Sequence, residues 1–273
     1  MNSLKFMNIR TNVYASNKCA RSASMIVTFS LILSIFVAFS GLTSVYAVEL
    51  FSKDEKPFGI SYDDWVAKYW NWDISQNADQ ATPKPNGCLI NNSDSMIMLM
   101  NPASVVSPPT QVCKISSKEG IMVPLWIGWC EASGNSRTLT DEELLKCAKE
   151  QNLGNIRSDV KVDGVPVAKL DVKQTIIPGS SSLDYKINSL ANVTDLSSSK
   201  AFTLTIPADT YYPNQATGTW RALSQGWWVF LKPLPPGEHT IFYNIRVTPT
   251  GGVTSPGTNP HFADITYKLR VEK

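Results

Sequence analysis

Histidine is scarce in this chain, with only two in 273 residues. His239 and His261 stand at the starts of two consecutive β-like segments, "HTIFYNIRV" and "HFADITYKLRV". If residues 238–248 and 261–271 pair as an antiparallel hairpin, about nine residues at ~3.3 Å each separate the histidines by roughly 30 Å. They then share neither a metal ion nor an active site, and neither adjoins a nucleophile-elbow motif. We interpret both as strand-end surface residues.

Acidic residues are absent before Glu49. The stretch that precedes it carries four cations and then an apolar run (25–39), and it ends in Val45-Tyr46-Ala47. Val45 and Ala47 are small residues at the two positions that a signal peptidase reads. This is the order of a signal peptide. We therefore predict a signal peptide over 1–47 and a single β-rich domain over 48–273.

An uncleaved N-terminal membrane anchor is the alternative, because residues 25–47 are long enough to span a bilayer. Membrane contact is then made through this segment alone. The basic flank stays inside in either case, so the rest of the chain is secreted or extracytoplasmic, at the cell surface. The leader holds four of the 25 lysines and arginines and none of the 23 acids, which leaves the remaining chain near −2. No nucleic-acid partner is predicted.

Paired C-x-x-C motifs are absent, which disfavours a zinc site. Four of the five cysteines follow the leader: Cys88, Cys113, Cys130 and Cys147. An even count in an exported chain predicts two disulfides. Three connectivities are open, and we favour Cys88–Cys113 and Cys130–Cys147 because each closes a short loop. The acids show no calcium-loop spacing, so neither a metal nor a cofactor is predicted.

Aromatic residues are plentiful after the leader, above all in "SYDDWVAKYWNWDISQ". Ser61 is a good N-cap, and the acids that follow it lie in the first turn, where the helix dipole favours them. Trp65, Tyr69 and Trp72 recur at helical spacing on one face. We predict a helix that runs to about Gln76 and packs its aromatic stripe on a sheet.

The rest of the chain has mainly β patterns. Thr140 and Glu143 form a capping box that begins a second helix, and Asp163-Gly164 predicts a two-residue hairpin turn. Pro124 lies inside a strand pattern and indicates an edge or a bulge. Roughly nine strands and two helices predict an antiparallel β-sandwich, jelly-roll or immunoglobulin-like, with two short α-helices packed on it.

Adjacent tryptophans impose a constraint on this sandwich. Trp227 and Trp228 are neighbours in one strand pattern, so their side chains point to opposite faces of a sheet. We expect the aromatic helix to cover one of these faces. We also expect Trp70, Trp227 or Trp228 to stay accessible as a ligand-binding residue, since an exposed indole stacks on a sugar or on a protein partner.

The segment "FGISYDDWVAKYWNW" resembles the pattern Y-G-x-S-Y-x-E-W-x-x-x-W-W-x-W that opens a group of exported bacterial and archaeal proteins. The resemblance continues through "QVCKISSKEGIMVPLWIGWC", "VDGVPVAKLD" and "GWWVFLKPLPPGEHTIFYNIRV". It therefore covers nearly all of the chain after the leader. Phe58, Asp64 and Tyr69 depart from the pattern conservatively. The resemblance implies export and a β-rich domain, and it assigns no catalytic residue.

Three functions fit these features. The first is a disulfide-braced binding module at the cell surface or in the envelope, whose partner is a surface glycan or an envelope protein. The second is a carboxylate-based hydrolase that acts on glycans, and the third is a structural envelope component without a specific ligand. Asn91 and Asn192 begin possible glycosylation sequons, which fits a surface protein. The candidate carboxylates adjoin aromatic segments: Asp63, Asp64, Asp73, Glu131 and Asp264.

The leader makes the first testable prediction. In the native host, the mature protein should begin at Val48, because the cleavage signal ends at Ala47. Mass spectrometry of the N-terminal peptide measures this directly. An intact 25–47 segment on a membrane-bound protein would replace cleavage with an anchor.

Overall fold

The computed structural model describes residues 47–76, 90–93, 95–100, 112–134, 137–151, 154–176, 183–197, 200–210, 212, 215–248 and 261–273. Ala47–Lys273 forms one compact unit. The described helices include none with the length and apolarity needed to cross a bilayer. The predicted leader and Cys88 lie outside the described residues, as does the side chain of Asn91.

The first sheet is covered on both faces. In spatial order its strands are β1 (Ile90–Ser93), β2 (Met96–Leu99), β4 (Gly120–Glu131), β10 (Gly218–Leu231) and β8 (Thr194–Ser197), and β9 (Phe202–Ile206) also pairs with β10. The β4–β10 register shifts between Trp227 and Trp228, where Trp228 lies opposite Pro124. This shift confirms the bulge predicted at a proline that cannot donate to the ladder.

The second sheet has one face in the core and one face in solvent. Its strands, in spatial order, are β3 (Val112–Ser116), β12 (His261–Glu272), β11 (Gly237–Thr248), β5 (Asn155–Val162), β6 (Val165–Ile176) and β7 (Leu183–Ala191). The tight turn between β5 and β6 is confirmed, because Asp163 and Gly164 both have positive φ, at 51° and 79°, as a type I′ turn requires.

The β-sandwich with short helices is confirmed, but the sheets are mixed and not purely antiparallel. β2 pairs with β4 in parallel, and β3 pairs with β12 in parallel. The chain leaves β2 in the first sheet, forms β3 in the second, and returns to the first as β4. A parallel pair needs such a crossover, and the crossover depends on which sheet each strand joins, which a local pattern does not show.

The space between the two sheets holds the main core. The first sheet contributes Ile97, Val123, Trp227 and Val229, and the second contributes inward-pointing residues of β5, β11 and β12, among them Ile156, Val160, Tyr243, Ile245, Tyr267 and Leu269. The burial of β11 alternates from Thr240 to its end at Thr248. This period of two is typical of a strand with one solvated face.

Helix α1 (Tyr62–Ser75) packs on the outer face of the first sheet. Ser61 caps it by accepting a hydrogen bond from the Asp64 N–H, as predicted. Trp65 and Tyr69 have no exposed surface, and they share a cluster with Met98, Trp228 and other residues of the sheet. Trp72 is only partly buried at the margin of the same cluster. The predicted aromatic helix that covers a sheet face is therefore confirmed.

The expectation that Trp70, Trp227 or Trp228 stays accessible is wrong. Their exposed fractions are 0%, 2% and 0%. Strand alternation does separate the neighbours, because Trp227 enters the core between the sheets and Trp228 enters the cluster below α1. Trp70 packs in the same cluster as Trp228, and its indole N–H is satisfied there by the Ser224 hydroxyl at 2.8 Å, which in turn donates to the Gly128 carbonyl at 2.8 Å.

Helix α2 (Asp141–Glu150) also lies on the first sheet. The predicted capping box of Thr140 and Glu143 is present. A Cys130–Cys147 disulfide joins the helix to the end of β4, which confirms this pairing. Cys113 is disulfide-bonded as well, and Cys88–Cys113 stays a prediction because Cys88 lies outside the described residues.

Truncation of a buried ring in α1 should destabilise the protein strongly. Trp65→Ala should lower the free energy of unfolding by about 3–5 kcal/mol, because it leaves a cavity in a close-packed cluster. Phe262→Ala is the control, since that ring is 59% exposed and its loss should cost little. Urea unfolding measures both variants. An unchanged midpoint for Trp65→Ala would show that the stripe is not part of the core.

Two stacked tyrosines make the core sensitive to alkali. The rings of Tyr243 and Tyr267 are parallel, 6.3 Å apart between centroids, and the Tyr243 hydroxyl donates to the Met100 carbonyl at 2.8 Å. Burial is the main cause that raises the pKa of both phenols above the ordinary value of 10. The stability that this neutral form contributes is complete below about pH 10 and is lost as the pH rises toward the folded pKa values.

We therefore expect that these phenols ionise only when the protein unfolds. Absorbance at 295 nm and circular dichroism, followed together from pH 9 upward, should show a final tyrosine step that coincides with loss of structure. Tyr243→Phe should reduce the size of that step. Complete tyrosine ionisation in the folded protein would contradict the expectation.

Candidate binding site on the outer face of the second sheet

The outer face of the second sheet is exposed to solvent and bears mainly polar and charged side chains. Helices α1 and α2 cover the first sheet, and the inner faces of both sheets form the core. Outward-pointing residues of β5, β6, β11 and β12 include Asn155, Arg157, Asp159, Lys161, Lys169, Asp171, Lys173, Glu238, Thr240, Phe242, Asn244, Arg246, Thr248, Phe262, Asp264, Thr266, Lys268, Arg270 and Glu272. Cations outnumber carboxylates on this face, whereas the chain after the leader is slightly acidic.

A pocket of about 410 Å³ opens on this face near one end of the strands. The residues that line it include three cations, one carboxylate, one amide and one aromatic ring: Arg157, Lys173, Arg246, Asp171, Asn155 and Phe262. A ligand pocket usually combines apolar surface with a few convergent polar groups. This pocket is more polar than that, with one exposed ring beside several charged side chains, so its chemistry suits a polar or charged ligand.

Four of these residues form a row across the strands. Arg157 of β5 lies opposite Asp171 of β6 on one side and Arg246 of β11 on the other. Arg246 in turn lies opposite Phe262 of β12. Neighbouring strands are about 4.8 Å apart, so the row spans roughly 14 Å. It ends in a carboxylate at one side and in an exposed aromatic ring at the other.

Arg246 is held in one position. Its Nη2 lies 2.6 and 2.7 Å from the two carboxylate oxygens of Asp264, and its Nη1 donates to the carbonyls of Ile245 and Ala263 at 2.9 Å. The guanidinium also lies 5.9 Å from the centre of the Phe262 ring, which is within cation–π range. Arg246 therefore fixes Asp264 and Phe262 at the rim of the pocket.

Arg157 is much less constrained. Its side chain is 76% exposed, and its only ion pair among the described residues joins Nε to Asp171 at 3.6 Å. Within that same part of the chain, its two terminal Nη groups make no hydrogen bond. Since a guanidinium presents five donors, Arg157 retains donors for a ligand. A ligand with an anionic group would satisfy them.

Two aromatic rings flank this surface. Phe262 is exposed, and Phe242, four residues before Arg246 on β11, is half-buried beneath Lys161 at 5.7 Å. Four residues along a strand correspond to ~13 Å. Phe262 therefore serves the pocket, and Phe242 lies further along the same face. Sequence reasoning missed both rings because it followed tryptophan, although the polar–apolar alternation of β11 and β12 already placed Phe242 and Phe262 with the charged residues.

His239 is not at this pocket. The β11–β12 register pairs His239 with Leu269 and Val247 with His261, which confirms that the two histidines lie at opposite ends of the hairpin. The side chain of His239 is only 10% exposed, so it is not the surface residue that we expected. Nδ1 contacts the Asp163 carboxylate at 2.7 Å and Nε2 contacts the Pro235 carbonyl at 2.9 Å. Nδ1 thus links β11 to the β5–β6 turn, and Nε2 links it to the loop that precedes β11.

The five candidate carboxylates do not gather at one opening. Asp63, Asp64 and Asp73 lie on α1, and Glu131 ends β4. Asp264 lies on the outer face of the second sheet, which is separated from α1 by both sheets. Asp73 is fully buried and accepts a hydrogen bond from the Tyr212 hydroxyl at 2.6 Å. Two sheets and their core therefore lie between Asp264 and the carboxylates of α1.

The remaining sequence candidates lie away from the pocket. Asn192 is exposed, but its side-chain amide donates to the Val167 carbonyl at 2.8 Å, so glycosylation there stays a prediction. Within the described ranges, no group of three or more His, Cys, Asp and Glu side chains is placed to hold a metal ion.

No protein-family model matches this chain, and no curated protein or solved structure matches it significantly. The resemblance to a group of exported proteins therefore stays a prediction. Inferences about function come from the chemistry of the outer face.

Proposed function

We propose that this protein is an exported binding module that holds a surface glycan on the outer face of its second sheet. The observation that carries this proposal is the row of Asp171, Arg157, Arg246 and Phe262 at the pocket. The row places hydrogen-bonding groups beside an exposed apolar ring. Sugars present both hydroxyl groups and apolar ring faces, so the two kinds of surface match one ligand.

The location of the row on the fold supports the same function. Its side chains stand on four paired strands of one sheet and not on a loop, and sites built on strands hold their geometry more accurately. The first sheet carries helices on its outer face, which leaves the second sheet to meet a partner. The Cys130–Cys147 disulfide fits an oxidising compartment outside the cytoplasm.

A ligand screen with matched variants tests the proposal. The full chain, produced in a host that exports it, is applied to an array of glycans, and the best glycan is then titrated by calorimetry. Phe262→Ala should weaken binding by roughly tenfold or more, because it removes the ring on which a sugar would lie. Val165→Ala is the control, since Val165 is 53% exposed at the β5–β6 turn, away from the pocket.

Two results would contradict the proposal. One is an array on which no glycan binds. The other is a glycan that binds Phe262→Ala and Val165→Ala as tightly as the unchanged protein. Circular dichroism of each variant ensures that a loss of binding is not a loss of fold.

A further inference from the structure

We infer that the glycan is anionic, and that the Arg157 guanidinium binds an oxyanion carried on a sugar ring next to the ring that lies on Phe262. This inference rests on the proposed function and adds the chemical class of the ligand. Three observations support it: the charges that line the pocket, the carboxylates that already pair with each arginine, and the distance between Arg157 and Phe262.

Like charges face each other at the centre of the row. Arg157 and Arg246 are directly paired residues on adjacent antiparallel strands, and like charges in such a position destabilise a sheet. Functional sites are where a chain breaks such local rules. An anion bound between the two strands would reverse the sign of this interaction. The arrangement therefore favours an anionic ligand over a neutral one.

The two guanidinium groups are not equally available. Arg246 is already neutralised by both oxygens of Asp264. Among the described residues Arg157 has a single ion pair, the 3.6 Å contact with Asp171, and most of its side chain is in solvent. A guanidinium binds a carboxylate or a sulfate through two parallel hydrogen bonds. Arg157 is thus the residue that is free to make this contact, while Arg246 holds the neighbouring ring in place.

Other pocket residues strengthen the positive potential. Lys173 is exposed two residues after Asp171 on β6, on the same face. Because Asp264 already neutralises Arg246, the cations that remain among the described lining residues are Arg157 and Lys173, against the one carboxylate of Asp171. The chain after the leader is slightly acidic as a whole, so this local excess of cations is not a general property of the surface. Such segregation attracts anions to the pocket.

The spacing of the row sets the form of the ligand. Arg157 and Phe262 are separated by one strand, which places them about 10 Å apart across the sheet. A single sugar ring on Phe262 does not reach Arg157 across that distance. The neighbouring sugar of an oligosaccharide does, and its carboxylate or sulfate would meet the guanidinium. An anionic oligosaccharide should therefore bind more tightly than the corresponding monosaccharide.

A single-stranded nucleic acid is the competing anionic ligand, because it too combines charge with rings that stack on aromatics. The outer face fits it less well. Asp159, Asp171 and Asp264 interrupt the cations, so a continuous phosphate chain would pass close to carboxylates. A saccharide can place one oxyanion at Arg157 and lay neutral ring faces and hydroxyl groups near the carboxylates, whereas every nucleotide of a strand carries a phosphate.

The test compares charged and neutral oligosaccharides of equal length on the full exported chain. Hexagalacturonate supplies carboxylates, a heparin-derived hexasaccharide supplies sulfates, maltohexaose is the neutral reference, and oligo-dT represents nucleic acid. We expect calorimetry to show that at least one anionic hexasaccharide binds roughly tenfold or more tightly than maltohexaose. This preference should shrink as salt is raised, because ions screen an exposed pair.

Variants then assign the charge to its residue. Arg157→Gln should reduce the affinity for the anionic hexasaccharide by roughly tenfold and leave weak maltohexaose binding unchanged, whereas Arg157→Lys should restore part of the affinity. Phe262→Ala should lower the affinity for both the anionic hexasaccharide and maltohexaose. Lys114→Gln is the matched control, since it removes an equally exposed cation from β3 at the far edge of the same sheet.

Each outcome decides between the two proposals. If maltohexaose binds as tightly as the anionic hexasaccharides and only Phe262→Ala weakens it, the anionic ligand is wrong while the binding module stands. If oligo-dT binds more tightly than every saccharide and Arg157→Gln abolishes that binding, both the glycan and its class are wrong. If no saccharide and no oligo-dT binds, the inference fails. It also fails if Lys114→Gln and Arg157→Gln reduce the affinity for the anionic hexasaccharide equally, because Arg157 then has no special role.

Discussion

The alternation of side chains along β10 is the constraint on which the rest of the structure depends. Trp227 and Trp228 are consecutive in β10, so one indole side chain projects from each face of the first sheet. A face that carries Trp228 and Phe230 is too apolar for water, and helix α1 covers it with its own aromatic rings. The first sheet is consequently enclosed from both sides, and its central strands are buried almost without interruption.

This enclosure leaves the second sheet as the one with a solvent-facing side among the described strands. The second sheet has a single core face, so every other residue of β11 and β12 is free to be polar. The two sheets therefore differ in composition. Most of the aromatic residues are buried against the first sheet, and many of the charged residues lie on the outer face of the second. The exposed Phe262 is an exception to this division, and it stands beside the arginine pair. An isolated ring amid charges has no packing role, which is why its position carries functional weight.

Helix caps and turns, which depend on residues close together in the sequence, could be predicted. Contacts that depend on which strands pair, and in which register, could not. Ser61, Thr140 with Glu143, and Asp163-Gly164 act on the backbone within a few residues, so their caps and their turn were evident. The burial of Trp70 was not evident, because its indole N–H bonds to Ser224, 154 positions away in the sequence. The arginine row depends on the register of four strands. The sequence could place Arg157 and Arg246 on solvent faces but not side by side.

The parallel pairing of β3 with β12 has a consequence for the order of folding. It joins residues 112–116 to residues 268–272, so an edge strand made early in synthesis waits for one of the last strands to appear. Contacts so distant along the chain slow folding. The β3 edge of the second sheet is therefore completed only after translation has reached β12, whereas β5, β6 and β7 pair with strands that lie next to them in the sequence.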